Sequence, residues 1–259
     1  MKNRFNLVVF VACMATAFAL YYLLLGNKGN FSDVEKLTPI NALGTIYTGG
    51  FLVGALIGCL LLALTYAIER MLSIGKASGT GDMHSFGKIV VDNVRKGNYA
   101  EAIRACDVQR GSLANVLRAA VERYQAVEND ANLESDQKLA EVQRVIDENM
   151  NLETPLLEKN LVILSTVASV STMIGLLGTT LGMIRAFAAL GAGGSVSAQS
   201  LSIGISEALY NTAGGLIAAV VSIIAYNFFT TKVDNFTYTM DETILDLMET
   251  LAVKTGTKH

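Results

Sequence analysis

The sequence predicts an all-α integral membrane protein with four spans, its long helices extending into the cytoplasm. Three observations carry this prediction. Hydrophobic residues make up 51% of the 259-residue chain and charged residues only 17%, a balance that soluble domains rarely reach. Four apolar runs, 5–25, 44–68, 161–190 and 201–229, are each about 20 residues or longer, enough to cross a hydrocarbon core of about 30 Å. The remaining mass, mainly 69–160, is charged and patterned with helical periodicity.

The elements follow in chain order. Lys2 and Arg4 precede the first run, which reads as an uncleaved span. A cleaved signal peptide, or lipid attachment at Cys13, is the weaker reading, and each choice leaves Gly26 outside the cytoplasm. Segment 26–43 is short, polar and interrupted by Pro39, as an exposed linker would be. The second span, 44–68, is rich in glycine and closed by Glu69-Arg70.

From Met71 to Lys159 the chain turns amphipathic. Asn98 with Glu101 three residues on, and Ser112 before Leu113, mark helix starts. Ala102, Ile103 and Ala105, then Leu113, Val116, Leu117, Ala120 and Val121, recur at helical spacing. The stretch from Leu133 to Lys159 reads as a helix running straight into the third span, with Pro155 marking a kink or a start. Span 161–190 and span 201–229 form a hairpin around a small-residue turn at 191–200. After it, 230–259 carries Val233, Phe236, Met240, Ile244, Leu247 and Leu251 at three-to-four spacing, an amphipathic extension of the last helix whose final residues, Gly256–His259, should fray.

Lys and Arg placement sets the orientation. Most of these residues fall between Arg70 and Lys159, whereas the opposite side holds only Lys28, Lys36 and Arg185. The middle region and both termini are therefore expected in the cytoplasm, with 26–43 and 191–200 outside. The net charge of -3 and the dispersed basic residues argue against nucleic acid. Cys13, Cys59 and Cys106 share no metal-type spacing and no plausible disulfide mates, so they read as reduced packing residues. No cofactor or metal is expected.

The polar residues inside the hairpin carry the chemistry. Gly175, Gly178 and Gly182 share one face with Ser171, a spacing that lets helix backbones approach closely; the expected role is packing. Ser165, Ser169, Thr172 and Thr179 form a hydroxyl stripe that either faces a wet path or satisfies itself on its own helix. On the last span Ser200, Gly204, Glu207, Asn211 and Ser222 lie near one face, with Thr212 beside it.

Glu207 is the one carboxylate deep in any span. An ionised side chain at a helix centre costs roughly 2.5–3.5 kcal/mol on insertion scales, so it faces a functional interior or a structural partner, here Arg185. With the turn centred near Ser195, Thr179 and Thr212 lie about 16 and about 17 residues away and reach matching heights at about 1.5 Å per residue. Glu207 then sits roughly a turn and a half nearer the outside. No aspartate lies in any span, so a second acid for proton transfer would have to come from another chain.

On Gly175-Leu-Leu-Gly-Thr179 followed by Gly182-Met-Ile, and on Gly204-Ile-Ser-Glu-Ala-Leu-Tyr-Asn-Thr212 followed by Gly215-Leu-Ile-Ala-Ala219, the chain resembles the MotA/TolQ/ExbB proton-channel family, ExbB and TolQ most closely. The likeness extends less specifically from about Gly44 to the end, including the Gly97 to Cys106 segment. It implies that Thr179 and Thr212 line the pore and that Glu207 is the family's intramembrane glutamate; from the residues themselves, Asn211 beside these groups and Thr172 on the hydroxyl stripe are expected to border the proton path, with Gly215 joining the packing glycines. It further implies a homopentamer around the membrane helices of an ExbD- or TolR-like single-span partner, whose aspartate carries the proton. The assembly would drive a TonB- or TolA-like protein from the bacterial inner membrane. Two departures stand out: Thr172 occupies the position of a family proline, implying a straighter or wetter helix, and the first span is additional to the usual three.

Competing readings are a flagellar- or gliding-type stator, disfavoured because the chain's prolines are Pro39 and Pro155 alone, and a passive scaffold whose polar stripes only glue helices. An intramembrane protease built on Gly204-Ile-Ser206 would need a membrane base, and His84 and His259 lie in soluble segments. No enzymatic activity is expected.

Overall fold

The computed structural model describes residues 2–33, 38–191 and 198–256. Lys36, His259 and most of the 191–200 turn lie outside the described residues. Four helical stretches among them are long and apolar enough to cross a membrane. The chain is an all-α membrane protein: among the described residues the only β feature is an isolated bridge between Phe31 and Pro39.

Two compact units emerge, Met1–Ile68 with Asn160–Asn227, and Glu69–Lys159 with Phe228–His259. In the first, α1 (Lys2–Ala19) ends in a π-helical turn (Leu20–Leu25), and α2 (Ala42–Tyr47) leads into α3 (Phe51–Ser78). The unit is completed by α8 (Leu161–Gly191) and the first half of α9 (Ala198–Thr255). The additional span docks through small residues on α3. A methyl group built on Gly54 would lie 2.8 Å from the Phe18 ring, and one on Gly58 would overlap the Met14 sulfur. Tyr21 stacks on Tyr47 with ring centres 4.7 Å apart and donates its hydroxyl to the Tyr47 carbonyl.

The segment after α1 is largely exposed, as expected of a linker, but it is tied down at one point. Asn30 and Phe31 are buried, and the Asn30 amide donates to the Leu24 and Leu25 carbonyls at 2.8 and 2.9 Å. Those carbonyls end the first helix and have no partner within it, so the side chain supplies the missing donors. A helix does not run unbroken from Gly44. Asn41 caps α2 by accepting from the Gly44 amide at 2.9 Å, and the chain turns at Gly50, whose φ of +79° suits glycine, before α3 begins.

The second unit holds the rear of α3 with α4 (Met83–Arg95), α5 (Tyr99–Gln109), α6 (Ser112–Val127), α7 (Ser135–Glu158) and the rear of α9. Most of the expected periodicity is buried here: Ala102, Leu113, Val116, Leu117, Ala120 and Val121 lie inside, as do Val233, Phe236, Met240, Ile244, Leu247 and Leu251, whereas Ile103 and Ala105 are half-buried. Two helix ends differ from expectation. Pro155 sits inside α7, and the break before α8 comes later, at Lys159–Asn160, where Asn160 takes a φ of 64°. Asn tolerates that left-handed backbone better than most residues. At the start of α6 the cap is Gly111, with Ser112 the first helical residue rather than the cap.

Candidate functional site

The third and fourth spans, α8 and the first half of α9, meet along a seam of small residues. A methyl group on Gly182 would lie 2.8 Å from the Ala208 nitrogen and from the Gly204 carbonyl oxygen. On Gly215 it would lie 2.7 Å from the Ser171 carbonyl oxygen, and on Gly175 3.1 Å from that of Asn211. On Gly178 it would overlap the Asn211 side chain. Backbones therefore approach to a separation that no larger residue admits, and the polar atoms of both helices come within reach of each other.

Thr179 and Thr212 face one another across this seam with their hydroxyl oxygens 3.4 Å apart. Each also addresses a carbonyl of α8: Thr179 donates to Leu176 at 2.8 Å, and Thr212 reaches Gly175 at 3.4 Å. Both threonines are partly exposed on the single chain. A hydroxyl both donates and accepts, so a pair of them at one level can pass a hydrogen bond from one helix to the next.

About a turn and a half away, Glu207 pairs with the Arg185 guanidinium, the Glu207 side chain 10% and the Arg185 side chain 54% exposed. Burying a carboxylate in hydrocarbon is costly, and a guanidinium in contact offsets that cost. Asn211, one turn on, is fully buried; its amide donates to the Gly49 carbonyl at 2.7 Å and to Glu207's own carbonyl at 3.0 Å. Its Oδ1 has no partner among the described residues. Gly50 leaves space for the carboxylate: a methyl group there would come within 2.5 Å of Glu207 Oε1.

Thr179 with Thr212, and Glu207 with Asn211 and Arg185, are thus each brought together. The other hydroxyls stay on their own helices. Thr172 is exposed and donates to the Ala168 carbonyl at 3.1 Å, and Ser169 donates to Ser165 at 3.3 Å. Ser171 and Ser222 are fully buried and donate to Val167 and Ala218. The Ser200 side chain lies outside the described residues. Sequence reasoning missed the Gly49-Gly50 turn as the third wall of the site, although paired glycines directly before an apolar run were a readable sign of close backbone approach.

A multi-pass α-helical membrane protein whose last two spans share a polar, glycine-sealed seam is the class these features define. The model of the MotA/TolQ/ExbB proton channel family matches residues 109–242, more than half of the chain, and the chain belongs to that family. Among curated relatives it is similar to the Tol-Pal system protein TolQ of Haemophilus influenzae, 43% identical over 91 residues that make up 35% of this chain and 40% of that protein. It is also similar to the biopolymer transport protein ExbB of Aquifex aeolicus, 46% identical over 77 residues, 30% of this chain and 52% of the other. With the ExbB of Xanthomonas campestris it shares 31% identity over 139 residues, covering 51% and 55% of the two chains. The chain spans about half the length of the curated relatives it matches.

Proposed function

We propose that this chain is the channel-forming subunit of an ExbB/TolQ-type motor in the bacterial inner membrane, multi-pass with both termini cytoplasmic and without enzymatic activity. Several copies, five by family analogy, surround the membrane helices of an ExbD- or TolR-like partner. Proton flow is converted there into work on a TonB- or TolA-like protein. The observation that carries this reading is the 3.4 Å approach of the Thr179 and Thr212 hydroxyls between two spans, on a face still partly open in the single chain. The partner's carboxylate would complete the relay, because the carboxylate in this chain's own spans, Glu207, is engaged by Arg185.

Proton flux into liposomes holding the chain and its partner tests the reading. Changing both threonines to valine preserves their shape and removes two donors, so flux should fall about a hundredfold, the low end for losing a positioned proton-transfer group. Unchanged flux would place the path elsewhere and favour a passive scaffold.

A further inference from the structure

In the second unit a cavity of about 350 Å³ is walled by the rear of α3, the start of α6 and the end of α7. Three cations line it: Arg70, Lys76 and Lys159. Arg70 is 1% exposed; it donates to the Leu157 carbonyl at 3.1 Å and is paired with Glu69. Neither Lys76 nor Lys159 makes a hydrogen bond or ion pair among the described residues. The one acid in the lining, Glu153, already accepts from the Asn115 amide at 2.8 Å.

The first turn of α6 opens on the same cavity. Its cap is Gly111, held by a φ of +98° and packed too closely against the Ala77 carbonyl for any side chain, so no side chain satisfies the first amides. Helix starts of this kind attract anions. Ser112, placed where a capping hydroxyl was expected, lines the cavity instead. It is 5% exposed, and its hydroxyl makes no hydrogen bond among the described residues. An unpartnered hydroxyl on a residue 5% exposed, lining the cavity beside two unengaged ammonium groups, is a site open to an acceptor.

Its position in the chain narrows the acceptor. Arg70 follows Ile68, where the second apolar run ends, by two residues, and Lys159 precedes Leu161, where the third begins, by two. Leu156 in the wall is exposed, as are Leu72 and Leu152 on the same helices. A basic cavity with an apolar rim at the ends of two spans matches a phospholipid headgroup with its chains alongside. We propose that this cavity binds a phosphoryl group, with Ser112 and the α6 amides as donors and Lys76 and Lys159 as counter-charges, and that an anionic phospholipid supplies it.

Native mass spectrometry of the full chain titrated separately with phosphatidylglycerol, phosphatidylcholine and inorganic phosphate tests this. Phosphatidylglycerol should be retained in preference to phosphatidylcholine. Lys76→Gln and Lys159→Gln should each weaken it about fivefold, the loss expected per basic residue near an anionic surface. Ser112→Ala, which leaves the charge unchanged, should weaken it about threefold. Lys88→Gln, on α4 and outside the cavity, should have no effect. Displacement of phosphatidylglycerol by inorganic phosphate would assign the site to the free anion and keep the phosphoryl chemistry. Equal retention by the Lys76→Gln/Lys159→Gln double variant, or equal loss on Lys88→Gln, would overturn the site. Unchanged helical circular dichroism in each variant separates lost binding from lost fold.

Discussion

Asn211 sets the tightest tolerance in the seam, because Gly178 is the space its side chain occupies. Gly178→Ala should lower stability by about 1–3 kcal/mol, the usual cost of overpacking, and thermal unfolding in detergent measures it. Part of that loss should return in Gly178→Ala/Asn211→Gly; a double variant as unstable as the sum of its parts would mean that the two residues do not meet. A second prediction concerns Cys106, 3% exposed in the polar unit. Burial, reinforced by the neighbouring Asp107 charge, pushes its thiol up to about 12. The thiolate fraction at pH 8 is then on the order of one in ten thousand, and the thiolate is the form that reacts. Maleimide should therefore label Cys106 only after unfolding. Because the folded value lies above the ordinary one, the stability this thiol contributes is complete below about pH 9 and is lost as pH climbs towards about 12. Rapid labelling at Cys106 itself, in a native Cys13→Ala/Cys59→Ala chain at pH 8, would contradict the buried placement.

At the scale of elements, side chains distant in sequence close the helix ends. Lys254, near the end of α9, donates to the Val94 carbonyl at 2.8 Å and to the Tyr99 hydroxyl at 2.9 Å, with its ammonium 4.7 Å from the centre of the Tyr99 ring. It thereby ties the last turn of α4 and the first of α5 to the C-terminal helix. Tyr99 in turn donates to Glu128 at 2.5 Å. Lys254→Met keeps the aliphatic stem and removes the donors, which should cost about 1–2 kcal/mol in urea unfolding. Hydrogen exchange should accelerate first at residues 94–99; uniform acceleration across the unit would mean that the lysine is not a local clasp. Such ties mark the limit of what the sequence makes legible. Periodicity exposes the buried faces of α6 and of the rear of α9, because burial repeats every turn. The height match of Thr179 and Thr212 follows from helical rise alone. The break at Asn160, the short α2 and the Gly49-Gly50 wall depend on single hydrogen bonds and one or two backbone angles, which leave no repeating trace. Ser112 shows the same limit: its residue type fits a cap, but Gly111 takes that position because the Ala77 carbonyl lies too close for a side chain.

For the whole molecule, the additional span is attached chiefly through α2 and α3, where Tyr21 and Leu25 pack with Val53. Most of the described large side chains of α1 and its π-helical turn are exposed, and among its described hydrophobic side chains only Ala17, Tyr21 and Leu25 are buried. Its anchor points, Gly54, Gly58 and Tyr47, all lie on α3 or just before it, and an Asn6 amide reaches Asn160 at 3.4 Å. None of these residues belongs to the seam of Thr179, Thr212, Glu207, Asn211 and Arg185. Replacing residues 1–25 with a cleavable signal sequence keeps Gly26 on the same side of the membrane and removes the span alone. The truncated chain should keep the helical content of the remaining spans and unfold at a lower temperature, because Tyr47 and the two glycines lose their cover. Its partner-dependent proton flux should stay within about twofold of the full chain, since no donor or acceptor of the seam has been touched. Flux abolished while the fold persists would mean that α1 shapes the path from outside it, and the seam would no longer account for conduction by itself.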